Sequence, residues 1–367
     1  MKKYKINTTY LISLVISIVV ALIIGGILMA ITGHNPFEGY GAMLQGVFGS
    51  TRVLGNTIAK AMTLCLTGLA MAVAAKAGMF NVGGEGQLFL GGLAAAMTGV
   101  ACHGLSPIIA IPLAMIAAMV AGGAFALIPA WLKAKLKVSE VITTIMLNSA
   151  AIFFCGYLIN GPLKTSEKGV LAGTDSIDEL FRFSTIVPRS NLTTAVFYSA
   201  IIAFLVWYLM SKTTIGLEMK VTGENERFAF FAGLKKDKIM IWAMIASGAI
   251  CGLVGMFEVY GIQWRFTETI SNEFYFDGML VAMIMNYNTI GIIIMSFFFG
   301  GLQIGATAME LSTGISGEIT DIMFAIIIFL MAAQGGITKE IQIKMAKKKA
   351  IREERKEQED GTLSTDI

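Results

Sequence analysis

The stretch Gly86–Leu132 reads GQLFLGGLAAAMTGVACHGLSPIIAIPLAMIAAMVAGGAFALIPAWL, 47 residues without Asp, Glu, Lys or Arg. One helix needs about 20 apolar residues to cross a bilayer core, so this stretch holds two. His103, Gly104, Ser106 and Pro107 supply the turn between them. Outward from it lie further charge-free runs at 11–32, 141–163, 190–211 and 239–257, each long enough to cross once. The whole 367-residue chain is 55% hydrophobic and only 14% charged, with a mean hydropathy of +0.71. A soluble domain carries about 25% charged residues. These figures predict an all-α, polytopic transmembrane bundle.

Ten spans fit, near 11–32, 58–75, 87–102, 107–128, 140–160, 192–210, 239–262, 278–287, 290–309 and 320–336. With the N-terminus inside, 21 of the 28 basic residues fall on the inner side, among them Lys76, Lys133, Lys135, Lys137, Lys212 and Lys220. Arg52, Lys60, Lys164, Lys168, Arg182, Arg189 and Arg265 fall outside or at the outer rim. The excess follows the positive-inside rule and predicts both termini on the cytoplasmic side of a multi-pass cell-membrane protein. Lys60, inside the second span, is expected to reach toward an interface. The permease body covers 1–336, and 337–367 is a charged cytoplasmic tail whose basic half faces anionic lipid. The first apolar run is too long for a signal peptide and is expected to remain as a helix.

Two segments break the helical pattern. Residues 78–87, Gly78-Met-Phe-Asn-Val-Gly-Gly-Glu-Gly-Gln87, hold four glycines and a glutamate and interrupt the chain between spans two and three. Residues 278–309 are charge-free and too long for one crossing, which predicts a hairpin turning at Asn286-Tyr-Asn288 with two short arms. Irregular backbone at membrane depth must be covered by protein or line a cavity, and transporters place substrate at such breaks. Phe80, Asn81, Glu85, Gln87, Asn148, Asn286 and Asn288 are therefore the candidate pathway residues, mostly neutral groups suited to an uncharged, hydroxylated solute. For Glu85 the favoured reading is structural, a carboxylate accepting backbone N–H groups that the turn leaves free. Asn148 is equally suited to a solute or to a neighbouring helix.

Cys65, Cys102, Cys155 and Cys251 are scattered through apolar sequence, which predicts buried thiols and neither a metal site nor a redox pair. His34 and His103 are read as loop residues without partners. No phosphate loop, metal cluster or basic nucleic-acid footprint occurs, so ATP-driven transport would need a separate ATPase to bind ATP and Mg. The inner loop 211–238 is unusually apolar. A short helix is predicted from Asn225, with Phe228, Phe231 and Ala232 on one face and Gly233 at its end.

Three stretches resemble the permease subunits of ABC importers that serve branched-chain amino acids and simple sugars, most closely the nucleoside-type branch. They are Gly78–Gln87, Val138-Ser-Glu-Val-Ile-Thr-Thr-Ile-Met-Leu-Asn148, and the loop carrying Gly223, Asn225, Ala229 and Gly233. Phe276-Asp-Gly-Met-Leu-Val-Ala-Met283 is similar to a fourth family segment. Ser139 and Phe230 depart from the pattern, where Asn and Ala are usual. The resemblance implies a transport subunit rather than an enzyme. It implies nucleoside import with a second, different permease chain, a cytoplasmic ATPase and an extracytoplasmic binding lipoprotein. Gly223, Glu224, Asn225, Phe228, Ala229, Phe231, Ala232 and Gly233 would then form the ATPase coupling element. Simple-sugar or branched-chain amino acid import is the alternative. A stand-alone secondary transporter would need acidic ion-coupling groups, for which Glu85, Glu140, Glu258 and Asp321 are the candidates.

Overall fold

In the computed structural model, which describes residues 8–166 and 172–331, the regular elements are helices. They are α1 (Thr8–Ile31), α2 (Pro36–Phe48), α3 (Thr51–Lys76), α4 (Gly84–Ala101), α5 (Pro107–Leu136), α6 (Glu140–Asn160) and α7 (Ala195–Lys212). There follow α8 (Thr214–Glu224), α9 (Glu226–Phe231), α10 (Lys236–Glu258), α11 (Phe274–Ile284) and α12 (Thr289–Thr313). Residues 318–331 are also helical. Lys2, Lys3, Lys5, Lys168 and the tail 337–367 lie outside the described residues.

Among the described residues, seven helices are long and apolar enough to cross a membrane: α1, α3, α5, α6, α7, α10 with its π-helical extension to Gln263, and α12. The helix α4 opens on Glu85 and Gln87, which lower its hydropathy. At 11 residues α11 is about 16 Å long, half of a bilayer core. The expected hairpin turn is present, with Asn286 and Tyr287 both at positive φ. Its arms differ from expectation, because α12 runs 25 residues and spans fully; only α11 is short. The turn at 103–106 also stands where the sequence predicts it, with α5 starting at Pro107. The helices α2 and α8 were not anticipated.

Two compact units form, Gly41–Ser312 and the two terminal segments flanking it. In the terminal unit, the Tyr40 hydroxyl donates to the Leu22 carbonyl of α1. A Cβ at Gly25 would lie 2.5 Å from Met323 Sδ, so the helix at 318–331 packs directly on α1.

The core of the larger unit is α10, held between α4 and α5. No hydrophobic force distinguishes protein from lipid tails, so close backbone approach carries much of the association. Small residues permit that approach here. A Cβ at Gly91 of α4 would lie 2.2 Å from Gly252 Cα, and one at Gly252 would lie 2.2 Å from the Ala118 carbonyl of α5. Gly122 and Gly248 repeat the arrangement one turn away. By contrast, α6 and α7 present Ile142, Ile145, Phe153, Phe197 and Phe204 outward, the surface expected against lipid or another membrane subunit.

The four cysteines are buried and free, as their apolar settings predict. His103 is not without a partner: its Nδ1 lies 3.1 Å from Asp178 Oδ2, because the outer loop folds back over the α4–α5 turn.

Gly252→Val would force α5 and α10 apart, an overpacking cost of about 1–3 kcal/mol or more. The expected result is a lower melting temperature in detergent and less protein in the membrane fraction. Gly41→Ala, where an added Cβ meets nothing within 4 Å, is expected to be neutral.

Candidate functional site

The break between α3 and α4 is built from residues 77–83. Helix α3 ends at Lys76, and Gly78 takes φ +77° to turn the chain. A Cβ there would come within 3.2 Å of Gly223 Cα in α8, and one at Gly223 would lie 2.5 Å from the Lys76 carbonyl. The inner loop and the break thus touch backbone to backbone.

Beyond the turn, Asn81 is fully buried and fully bonded. Its Nδ2 donates to Gln87 Oε1 and to Ser247 Oγ of α10, both at 2.9 Å. Its Oδ1 accepts from the Gly83 N–H at 3.0 Å and from Gln87 Nε2 at 3.1 Å. Asn148 of α6 closes the same turn: its Oδ1 accepts from the Gly86 N–H at 2.7 Å, and its Nδ2 donates to the Val82 carbonyl at 2.8 Å. Helix α4 therefore begins in the protein interior with the N–H groups of its N-cap Gly83 and of Gly86 paired to side chains rather than to water.

Glu85 does accept a backbone N–H, but from a distant element. Its Oε2 lies 3.0 Å from the N of Tyr275, in the first turn of α11. The Tyr275 hydroxyl reaches back to donate to the Asn81 carbonyl. The start of α11 is further held by Thr67, near the middle of α3, whose hydroxyl donates to the Phe274 carbonyl at 3.1 Å. A Cβ at Gly84 would overlap the Tyr275 ring at 2.0 Å, so only glycine lets the two helix starts meet.

Of the predicted pathway residues, the fold gathers Asn81, Glu85, Gln87 and Asn148 into this buried knot, with Phe80 half-buried beside it. Asn286 and Asn288 lie at the other end of α11, about 16 Å from Tyr275. There Asn286 is exposed, and Asn288 caps α12 by accepting from the Gly291 N–H at 2.9 Å. Ser247 and Tyr275 complete the knot without having been singled out; a buried Ser and Tyr look like packing residues until their partners are known.

Lys60 meets the start of α11. Its Nζ sits 3.9 Å over the Phe274 ring, whose backbone is bound by Thr67 two turns deeper. Around the same level, Thr63 donates to Glu258 at 3.0 Å, and Gln303 Nε2 donates to Asp277 Oδ2 at 2.8 Å. Lys60 and Asp277 were legible as the one charge between Arg52 and Lys76 in α3 and the last charge before the run 278–309.

In the loop 211–238, α9 forms as its sequence predicts. Asn225 caps it by accepting from the Phe228 N–H at 2.9 Å. It ends in a Schellman motif, with Leu234 N–H bonded to the Ala229 carbonyl, Gly233 N–H bonded to the Phe230 carbonyl, and Gly233 at φ +78°. Ala229 faces inward and is fully buried, whereas Phe228 is 60% and Phe231 85% exposed. Phe230 joins them at 65%, widening the apolar face beyond the predicted one. Ala232 is exposed too, and Glu224 pairs with Lys220 at 3.8 Å. Lys236 Nζ lies 3.0 Å from Glu226, whose carboxyl it holds below the usual carboxylate range, so the pair stays ionised at neutral pH and ties α9 to α10. A cavity of about 680 Å³ opens beside α9, lined by Lys135, Lys137, Arg227, Phe230 and Phe231 among others.

Taken together, a multi-pass helical bundle with two helix starts in its interior and an exposed apolar helix on one loop defines a membrane permease. The chain belongs to the family described as branched-chain amino acid transport system, permease component, whose pattern matches residues 53–332. It is 34% identical to the guanosine ABC transporter permease protein NupP of Bacillus subtilis, over 88% of this chain and 93% of that one. It is 32% identical to the nucleoside ABC transporter permease protein NupB of Lactococcus lactis, over 92% and 93%. It is also 31% identical to the glucose ABC transporter permease protein TsgB13 of Haloferax volcanii, over 86% of each.

Removing the Glu85 carboxylate strands the Tyr275 N–H, at a cost of about 1–3 kcal/mol for a buried unpaired donor. Glu85→Ala is expected to lower the melting temperature of the purified protein clearly. Glu85→Gln, which keeps an acceptor, is expected to lose much less; equal loss in both would show that charge, not the acceptor, matters.

Proposed function

We propose that this chain is one of two permease halves of an ATP-driven importer of nucleosides in the plasma membrane. The observation that carries the reading is the exposed Phe228, Phe230 and Phe231 face on a capped helix of the inner loop, in a chain related to permeases named for guanosine and nucleosides. An apolar face of this kind, held rigidly by the Lys236–Glu226 pair, suits docking into a cytoplasmic ATPase that binds ATP and Mg.

In this reading ten crossings are made by α1, α3, α4, α5, α6, α7, α10, the non-helical segment 264–273 continued by the short α11, α12 and the helix at 318–331, with both termini cytoplasmic. A binding protein delivers the solute from outside. A pull on α9 passes through α8 to the Gly78–Gly223 contact, where no side chain lies between the backbones to absorb it. From there the buried knot carries the displacement through Asn81 and Tyr275 to α11, beside the path between the two halves. Asn81, Glu85, Gln87 and Asn148 act in this scheme as the frame of the pathway. Phe80, Asn286 and Asn288 are the group's members with surface left to offer a solute. Sugar import is the second reading, favoured by the similarity to a glucose permease.

Phe228→Asp with Phe231→Asp is expected to abolish co-purification with the ATPase while membrane insertion persists; intact co-purification would refute the docking role. In cells, guanosine uptake is expected to continue when ion gradients are collapsed at constant ATP. Loss of uptake under that treatment would favour a secondary transporter.

A further inference from the structure

We propose that Lys60, Asp277 and Gln303, gathered at the membrane-embedded start of α11, form a solute-contacting site for an uncharged, hydrogen-bonding solute. The proposal rests on the importer reading for its solute, though not for its geometry.

Lys60 lies nine residues into the 26-residue α3, inside the apolar span. An ammonium at membrane depth is costly against lipid, and such residues face the protein interior or a water-filled path. Lys60 is half-buried, and its neighbours Asn272 and Glu273, just ahead of α11, are exposed. Residues 264–273 run without helix from the π-turn down to this level, and irregular backbone there requires protein cover or a cavity. The patch of Lys60, Asn272, Glu273 and Asp277 is too polar for lipid. It fits a wall of an aqueous path.

The Lys60 ammonium rests on the Phe274 ring, with its N–H donors directed to no hydrogen-bond acceptor among the described residues. Among the described residues it makes no ion pair within 4 Å, although Asp277, Glu258 and Glu85 all lie within electrostatic reach. Each of these carboxylates is engaged elsewhere: Glu85 by the Tyr275 N–H, Glu258 by Thr63, Asp277 by Gln303. Because Asp277 fixes the amide nitrogen of Gln303, the amide oxygen points away; it is buried and has no partner among the described residues. One cationic donor without a hydrogen bond and one neutral acceptor without a partner among the described residues therefore stand beside the Asp277 carboxylate. A solute with both acceptor and donor groups satisfies them. The Asp277 carboxylate already lies within electrostatic reach of Lys60 and offsets its charge, so an anionic solute gains little there and an uncharged nucleoside fits better than a nucleotide.

The test uses the whole transporter, with its ATPase and binding protein. In Lys60→Cys, a charged, membrane-impermeant methanethiosulfonate is expected to label position 60, with slower labelling when the transported solute is in excess. The four native cysteines are buried and give little background. Absence of labelling in the assembled complex would overturn the proposal. Lys60→Met is expected to cut uptake about tenfold, as for loss of one charge-assisted hydrogen bond, and Lys60→Arg to retain most of it. Unchanged uptake in Lys60→Met, or failure of both variants to assemble with the ATPase, would overturn it as well. If the wild-type transporter carries glucose and no nucleoside, the nucleoside reading fails. Labelling at position 60 and its slowing by glucose then still decide the site.

Discussion

In the interior of a helical bundle an unpaired backbone N–H has no water to turn to, and two helices of this protein begin there. Helix α4 starts at Gly84 and α11 at Phe274, and the first N–H groups of both must be met by other parts of the chain. Asn81 meets the N-cap Gly83 and Asn148 meets Gly86 at the start of α4, and Glu85 meets Tyr275 in α11. Each capping group comes from a different helix or from the break itself. The arrangement of α3, α4, α6, α10 and α11 therefore has little freedom, because shifting any of them exposes a donor or acceptor in a medium that does not forgive it.

The glycines make the same point through distance. Hydrogen bonds of 2.7–3.0 Å between side chains of neighbouring helices demand that the helices lie close. The Gly91–Gly252–Ala118 and Gly122–Gly248 contacts supply that closeness along α10. Gly84 permits the Tyr275 ring to lie across the start of α4, and the pair Gly78 and Gly223 brings the inner loop against the break. What reads in sequence as glycine richness is, in three dimensions, a set of specific backbone crossings.

This construction separates two kinds of polar residue at membrane depth. Asn81, Gln87, Asn148 and Glu85 spend their hydrogen-bonding capacity on the protein itself. Lys60 and the oxygen of Gln303 do not, and they border the exposed Asn272 and Glu273. Rigidity at the knot and unspent groups beside it are complementary properties: a fixed frame lets a small number of free groups discriminate between solutes.

The amino-acid sequence alone determined the helical membrane character, because apolar runs near 20 residues leave no other way to satisfy the backbone in lipid. It also determined the break at 78–87, the turn at 286–288 and the capped α9, since glycine, asparagine and chain-length constraints act locally. The role of each polar residue was decided only by tertiary structure. Whether Glu85 caps its own turn or another helix, whether Lys60 reaches an interface or the Phe274 ring, and whether His103 has a partner all depend on residues up to about two hundred positions away. Side-chain hydrogen bonds reach about 3 Å, and no local pattern encodes which distant element will lie within that distance.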